Sequence, residues 1–349
     1  MNSPIRLAVF GVGLIGLRHL DIAAEEPGCV IVAAADPMEA ARGAVESRGA
    51  HFYLDYRALL DQEQVDGVII ATPNSTHAPI GIAVAERGLP MLMEKPITDT
   101  VEAGTALLEA AKKAGVAIAV GHHRRFDPSV EIARKMLSEG AVGELTALHF
   151  LWSVRKHASY YDTGGGWRKQ RPGGGPVLIN LIHDIDLMRH FGGDITRIYA
   201  ELGHAARGFE VEDVIAATVR FSSGAVGSIV ASDASPSPWG WELGSGENPH
   251  IPETGKNCYR LLGTQGSLAL PRLELWRHGD IDNGSWSDEI ALSAHKFGPR
   301  IALRQQLRQF CRVVRGEEEP RVSGADGLAT LIATAAVTRS GELGAPITL

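Results

Sequence analysis

The stretch "RLAVFGVGLIG", residues 6–16, decides the fold of this chain. An apolar run ends at Phe10, glycines follow at Gly11, Gly13 and Gly16, and a helical pattern opens at Leu14. A run that is apolar at every position suits a strand covered on both faces, as in a parallel sheet. The first glycine makes a tight turn, the second lets backbone approach a pyrophosphate, and the third lets helix pack closely on strand. Leu14 and Ile15 then carry the unpaired N–H groups of the helix start, where phosphate binds. Asp36, twenty positions after Gly16, ends the next apolar run and suits the hydroxyls of an adenosine ribose. The pattern predicts a nicotinamide dinucleotide. NAD is the preferred cofactor because Asp36 would repel a 2′-phosphate, and NADP is the alternative because Arg42 lies close by in sequence.

Working outward, "CVIVAAAD" (29–36), "GVIIATP" (67–73), "PMLMEKP" (90–96) and "GVAIAVGHH" (115–123) read as further buried strands. Helical patterns alternate with them; the one from Asp99 to Gly115 opens on an Asp or Thr cap and stops at a glycine. Strand–helix alternation predicts a doubly wound α/β (Rossmann) domain over residues 1–123. In such a sheet the carboxyl ends of the strands line the ligand crevice. Thr72, Pro73, Asn74 and His77 of "ATPNSTH", and Glu94 and Lys95 of "MEKP", therefore belong beside the cofactor.

The pattern then changes. After a helix over 128–139 come long alternating strands in "GELTALHFLWSVR" (143–155), "ITRIYAELGHAAR" (195–207), "EDVIAATVRF" (212–221) and "AVGSIVASD" (225–233). Hairpins are expected at "SSG" (222–224) and "TQG" (264–266). Residues 124–349 thus read as an α+β domain with a large open, mainly antiparallel sheet. Near the end, Leu303, Leu307, Phe310 and Val314 form a helical stripe closed by Gly316. The Gly-, Pro- and Ser-rich stretch 234–256 reads as a loop, whose Trp239 and Trp241 either close over a pocket or contact a partner subunit.

Composition narrows the class. A chain of 349 residues can bury a sizeable core, and its net charge of −7 argues against nucleic-acid or membrane-surface binding. No apolar run reaches the ~18 residues that span a bilayer, and the apolar N-terminus lacks a signal-peptide cleavage pattern. Three scattered cysteines, Cys29, Cys258 and Cys311, suggest a reducing cytoplasm with neither a disulfide framework nor a zinc site. No metal is expected, since the adjacent His122 and His123 do not have ligand spacing on a helix.

Six stretches in order resemble the glucose–fructose oxidoreductase/inositol dehydrogenase/MocA family: 11–19, 34–37, 59–77, "MEKPIT" (93–98), "GHHRRFDP" (121–128) and "GGGPVLINLIHDIDLMR" (173–189). The resemblance spans essentially the whole chain. It implies a nicotinamide cofactor on the Rossmann domain, a small hydroxylated substrate, and a C-terminal sheet that mediates homodimer or homotetramer formation. By the same resemblance Lys95 touches substrate and nicotinamide ribose, His183 matches the acid/base histidine, and Arg124 lies near nicotinamide and substrate.

The last of these stretches is unusually polar for a packing helix. On an α-helical wheel Ile179, Asn180, His183 and Asp186 share one side, and Leu181, Ile185 and Met188 the other. That wheel fits either an amphipathic helix with a wet stripe or a stripe turned to a substrate, and the glycines at 173–175 suggest close approach to a ligand. Inositol-dehydrogenase-like members carry an aspartate four residues before the histidine, where this chain has Ile179. Asn180 can orient a hydroxyl but not take its proton, so either His183 works with Lys95 alone, the preferred expectation, with Asp186 serving packing or ion pairing, or Asp186 compensates. Trp167, in a Gly-rich loop, either covers nicotinamide or substrate or anchors that loop on the core. Arg155, Lys156 and His157 read as solvated strand-end charges.

The expected activity is NAD(P)-dependent dehydrogenation or reduction at a secondary alcohol of a sugar, polyol or cyclic diol. A histidine near pKa ~6.5 suits removal of the hydroxyl proton, and a lysine stabilises the developing oxyanion. Alternatives are an aromatic cis-dihydrodiol dehydrogenase, a redox-neutral NAD-dependent glycosidase, and a non-catalytic NAD(P)-binding sensor.

Overall fold

A computed structural model of the chain describes residues 3–171, 173–204, 206–248, 250–280 and 284–349, with Thr163 and Gly164 described by backbone alone. Pro172, Ala205 and Pro249, which fall within stretches read above, lie outside the described residues. The chain forms two compact units, Met1–Phe126 with Ile301–Leu331, and Asp127–Arg300 with Ile332–Leu349.

In the first unit six parallel strands, β1 (Ile5–Phe10), β2 (Cys29–Ala35), β3 (His51–Tyr53), β4 (Gly67–Ile70), β5 (Met91–Met93) and β6 (Ile118–Val120), run in the order β3-β2-β1-β4-β5-β6. Leu7, Ala8 and Val9 of β1 have no exposed surface, as strands covered on both faces require. The order reverses between β1 and β4, which puts the ligand crevice at their carboxyl ends. β3 has no counterpart in the sequence reading, because in its three residues only Phe52 is buried and no period is visible. The helix Val101–Ala114 does follow its signals: Thr100 Oγ1 accepts from the Ala103 N–H at 3.2 Å, and Gly115 closes it at φ 68°.

The unit boundary differs from the expected division at residue 123. The helix Ala302–Val314 buries Leu307, Phe310 and Cys311 in the same core as Leu7, Val9 and Ile69. A Cβ on Gly67 would lie 2.9 Å from Val314 Cγ2, so β4 and this helix need a glycine between them. Val120 N–H then donates to Val322 O at 2.9 Å. The stripe at 303–314 marks a buried helix face, but periodicity does not say which core it faces.

The second unit holds nine strands: β7 (Leu145–Ser153), β8 (Ile195–Gly203), β9 (Val214–Phe221), β10 (Val226–Ser232), β11 (Tyr259–Gly263), β12 (Ser267–Leu270), β13 (Glu274–His278), β14 (Ile290–Ala294) and β15 (Ile347–Thr348). Their order is β14-β13-β12-β11-β7-β10-β9-β8-β15, and every pair is antiparallel except β7 with β10. Both expected hairpins are present, at 222–224 and 264–266. Alternation sets the two faces: Ile215, Ala217, Val219 and Phe221 are buried, while Ala216, Thr218 and Arg220 are exposed. The inner residues share a core with the helices Pro128–Ser138 and Ile182–Gly192. On the outer face Tyr199, Val226, Val230 and Leu262 stay exposed, and all but Val230 line a shallow cavity of about 670 Å³. Within the stretch 234–256, Trp241 is fully buried and stacks on Tyr259 with centroids 5.2 Å apart. It anchors the loop on the core, and only Trp239 of the pair is exposed.

Candidate active site

The carboxyl edge of the first sheet builds the cofactor candidate. Gly11 sits at φ +84°, and a Cβ there would lie 2.5 Å from Ala71 O, so the β1 and β4 ends can meet only at a glycine. A Cβ on Gly16 would lie 1.9 Å from Gly11 O, so the helix Leu14–Ala24 is seated directly on the turn. Gly13 differs: nothing lies within 4 Å of its Cβ position. No side chain caps this helix start, and Leu14 is 92% exposed. Uncapped N–H groups facing open space above a glycine fit the pyrophosphate of a dinucleotide.

Asp36 lies just beyond β2. Its Oδ2 accepts from the Val12 N–H and its Oδ1 from the Met38 N–H, each at 2.8 Å, which holds the carboxylate beside the turn with lone pairs left for ribose hydroxyls. Arg42 is engaged elsewhere: its guanidinium pairs with Glu39 at 2.5 Å and Glu46 at 3.1 Å and lies over the Phe52 ring.

Beyond β4, Thr76 Oγ1 donates to Pro73 O at 2.7 Å and lies 2.8 Å from Thr72 Oγ1, closing the turn that carries Thr72, Pro73 and Asn74. His77 is 1% exposed, with Nδ1 2.9 Å from Pro96 O and Nε2 2.9 Å from Thr72 O. Its ring therefore ties the β4 and β5 loops together and faces no open space. Both contacts can be hydrogen bonds only in a doubly protonated ring, yet burial disfavours that charge and the net shift of its pKa is downward.

Glu94 is also buried. Its Oε1 pairs with His19 Nε2 at 2.8 Å, its Oε2 accepts from the Lys95 N–H at 3.2 Å, and a Cβ on Gly121 would lie 2.8 Å from that oxygen. Burial pushes this carboxyl up, but the His19 hydrogen bond and the charges of His19, Lys95 and His123 outweigh it and hold the pKa at about 2. Lys95 itself is half-buried and precedes a cis peptide to Pro96. Arg124, in the single turn His123–Phe126, is 2% exposed.

In the second unit the segment with His183 is not a regular α-helix. A π-helical turn, Val177–Leu181, leads into the α-helix Ile182–Gly192, which breaks the wheel used above. There is no wet stripe either, because every residue from His183 to Met188 is buried, with His183 at 7% and Asp186 at 1% exposed. Asp184 Oδ1 accepts from the Tyr259 hydroxyl, and Tyr259 stacks on Phe150 with centroids 3.9 Å apart.

Two of the three glycines before this segment serve the chain itself, whereas a Cβ on Gly173 would meet nothing within 4 Å. A Cβ on Gly174 would lie 2.4 Å from Gln170 O, and one on Gly175 (φ +84°) 2.5 Å from Glu212 Oε1. Glu212 in turn accepts from the Val177 N–H at 3.1 Å, pinning the π-turn, and lies 3.7 Å from the Arg171 guanidinium.

Asn180 is half-buried, and its Oδ1 accepts from Lys156 Nζ at 2.6 Å. Trp167 is 40% exposed, with the Arg168 guanidinium 4.8 Å from its ring centroid. Lys156 was missed as a functional candidate. It sits between the exposed Arg155 and His157, and only its position beside an aromatic-rich loop could have singled it out. Among the described residues no group of three or more His, Cys, Asp or Glu could hold a metal ion, and no helix is long and apolar enough to cross a membrane.

Two family models match in tandem. One, described as an oxidoreductase family with an NAD-binding Rossmann fold, covers residues 5–122, and the other, the GFO/IDH/MocA C-terminal domain, covers 130–269. The chain belongs to the GFO/IDH/MocA oxidoreductase family. Its first unit is an NAD-binding Rossmann domain, which agrees with the open seat above Gly13. Among relatives, it is 28% identical to the scyllo-inositol 2-dehydrogenase (NAD(+)) of Bacillus subtilis (strain 168), over 100% of this chain and 97% of that one. It is 33% identical to the 2,7-anhydro-N-acetylneuraminate hydratase of Escherichia coli (strain K12), but over only 49% of this chain and 47% of the hydratase. In fold it matches the crystal structure of an Agrobacterium radiobacter oxidoreductase in complex with NAD+, L-tartaric acid and magnesium. That match has a TM-score of 0.84 at 19% identity, over 99% of this chain and 98% of that one.

Proposed function

We propose that this oxidoreductase is an NAD-dependent dehydrogenase of a secondary alcohol in a sugar, polyol or cyclic diol. The observation that carries the reading is the carboxyl edge of the first sheet. There the glycine turn, Asp36 and Lys95 follow β1, β2 and β5, so a dinucleotide seat and a cation suited to an alcohol oxygen share one edge. The full-length relative named an inositol dehydrogenase supports the substrate class.

When bound, the nicotinamide ring supplies the hydride acceptor. Lys95 holds the substrate hydroxyl oxygen and stabilises the negative charge that develops there as the O–H proton leaves. His183 takes the hydroxyl proton, and the burial of its helix keeps bulk water from competing for it. Asn180 and Arg124 orient the substrate, and Trp167 covers one side of it. Thr72, Pro73, Asn74, Leu14 and Ile15 contact the cofactor, while His77 and Glu94 hold the loops that present it. NAD is preferred to NADP, because Asp36 stands at the ribose position and Glu39 and Glu46 neutralise Arg42.

We further propose that the outer face of the second sheet forms a homodimer or homotetramer contact, on its exposed Tyr199, Val226, Val230 and Leu262. We also propose a cytoplasmic location, supported by three buried cysteines held as thiols, and cell fractionation checks it.

The test is absorbance of reduced nicotinamide with NAD and NADP over sugars, inositols, sugar acids and cis-dihydrodiols, with Lys95→Ala and His183→Ala alongside. Net reduction on one class, lowered about 100-fold or more in both variants, is expected. The relative named a hydratase supports a second reading, turnover without net reduction, and product formation at constant absorbance would favour it over the first.

A further inference from the structure

We propose that Lys156 determines substrate specificity, selecting through its ammonium and through Asn180 a substrate that carries a carboxylate, a hydroxy acid rather than a neutral polyol. This rests on the reading that the Asn180–His183 segment holds the substrate.

The geometry starts with a fixed backbone. The Lys156 N–H donates to Asp233 O at 2.9 Å, and its carbonyl accepts from Arg207 Nη2 at 2.9 Å. Its Nζ then reaches Asn180 Oδ1 at 2.6 Å. An ammonium has only donors, so the Asn180 atom facing it must be the oxygen, and the two N–H bonds of the Asn180 amide point elsewhere. Asn180 thereby becomes a donor towards any ligand, three residues before His183. Left to itself, an asparagine could turn either atom to a ligand; Lys156 removes that choice.

Charge decides what kind of acceptor fits. Lys156 Nζ lies 4.1 Å from the Tyr160 ring centroid, and the Arg168 guanidinium carbon lies 4.6 Å from the same centroid. Two cations on one phenol ring gain its quadrupole attraction but repel each other. Asp233, the nearby carboxylate, already accepts from Tyr161 and lies 3.2 Å from Arg207 Nε. Among the described residues Asn180 is the one hydrogen-bond acceptor of the Lys156 ammonium, which leaves two of its three donors for a ligand. Both residues are half-buried, so an arriving anion is partly desolvated and its attraction is less screened. A carboxylate satisfies an amide donor and an ammonium and also pairs with the ammonium charge, whereas a hydroxyl satisfies only the two donors.

The experiment compares matched pairs, gluconate with glucitol and glucuronate with glucose, in wild type, Lys156→Met and Lys156→Arg with NAD present. Thermal melts establish that each variant is folded. The wild type is expected to prefer the acids, and Lys156→Met to lower the acid-to-neutral ratio of kcat/KM roughly 10- to 100-fold, mainly through KM, with Lys156→Arg between the two. Equal losses on acid and neutral members, a wild type that prefers the neutral members, or a preference for sugar phosphates over carboxylates would each overturn the proposal. If no compound is turned over, the dehydrogenase reading fails separately. Saturation-transfer NMR of the same carboxylates then decides the role of Lys156: weaker binding in Lys156→Met sustains it, and equal binding overturns it.

Discussion

Two glycines of one motif should fail in opposite ways when each is replaced by alanine. At Gly13 the backbone lies at φ −72° and ψ −166°, which alanine adopts freely, and its Cβ would meet nothing within 4 Å. Restricting the unfolded chain gains about 0.4–1 kcal/mol, while exchanging glycine for alanine at an N-cap costs a comparable amount, roughly 0.5–1 kcal/mol. Gly13→Ala should therefore fold with stability within roughly 0.5 kcal/mol of wild type. The added methyl nevertheless stands in the space assigned to the pyrophosphate. Displacing the cofactor there should weaken NADH binding roughly 10- to 100-fold, or about 1.4–3 kcal/mol.

Gly16→Ala meets the protein instead of the ligand. Its Cβ would lie 1.9 Å from Gly11 O and 2.9 Å from Gly11 C, both backbone atoms that cannot rotate away. Opening that contact by more than an ångström costs roughly 1–3 kcal/mol of overpacking, more than the ~1 kcal/mol that alanine gains over glycine inside a helix. Urea unfolding and NADH fluorescence titration on the two variants separate the effects. Gly13→Ala should lose affinity at wild-type stability, and Gly16→Ala should lose stability. A Gly13→Ala protein that binds NADH as tightly as wild type would refute the assignment of that space to phosphate.

Two further outcomes are expected. Glu94 is held at about 2 in the fold against an ordinary 4.5, so its ionisation stabilises the protein above pH ~4.5, and that contribution is lost as pH falls through about 2. Glu94→Gln should lose up to roughly 3 kcal/mol at neutral pH and show a flatter stability profile between those limits, measured by urea unfolding in a pH series; parallel profiles would contradict the ionised pair. Val230→Glu, which places a charge at a 41%-exposed valine on the outer face of the second sheet, should reduce the oligomer mass by light scattering at unchanged secondary structure, whereas an unchanged mass would move the contact elsewhere.

Legibility in the sequence followed the range of the interactions. The glycine turn, Asp36, the cap at Thr100 and both hairpins depend on neighbours a few residues away, so their residue types announce them. β3 was hidden because three residues show no period. The helix Ala302–Val314 was seen as a helix but assigned to the second domain, because joining the core of β1 and β4 is a property of the chain's return path. The helical wheel over 173–189 takes 3.6 residues per turn, and the π-turn Val177–Leu181 rotates Ile179 and Asn180 relative to His183.

The site residues show the same divide between residue type and residue partner. His77 and Glu94 read as cofactor contacts because they follow strand ends, and in the fold they do lie after β4 and β5. Their side chains turn inward, His77 to two carbonyls and Glu94 to His19, which only a three-dimensional accounting of donors and acceptors reveals. The glycines at 173–175 read as room for a ligand; at Gly174 and Gly175 that room is filled by Gln170 O and Glu212, while the Cβ position of Gly173 is open. Lys156 went the other way. Flanked by Arg155 and His157 it looks like one more surface charge, but the aromatic rings beneath it and the Asn180 oxygen beside it take it off the surface. A polar residue in this chain is thus informative about function where its partners leave a donor or acceptor facing open space. By that measure His77 is uninformative, since both its ring nitrogens already face carbonyls, whereas Asp36 and the Lys156–Asn180 pair keep unfilled hydrogen-bonding capacity.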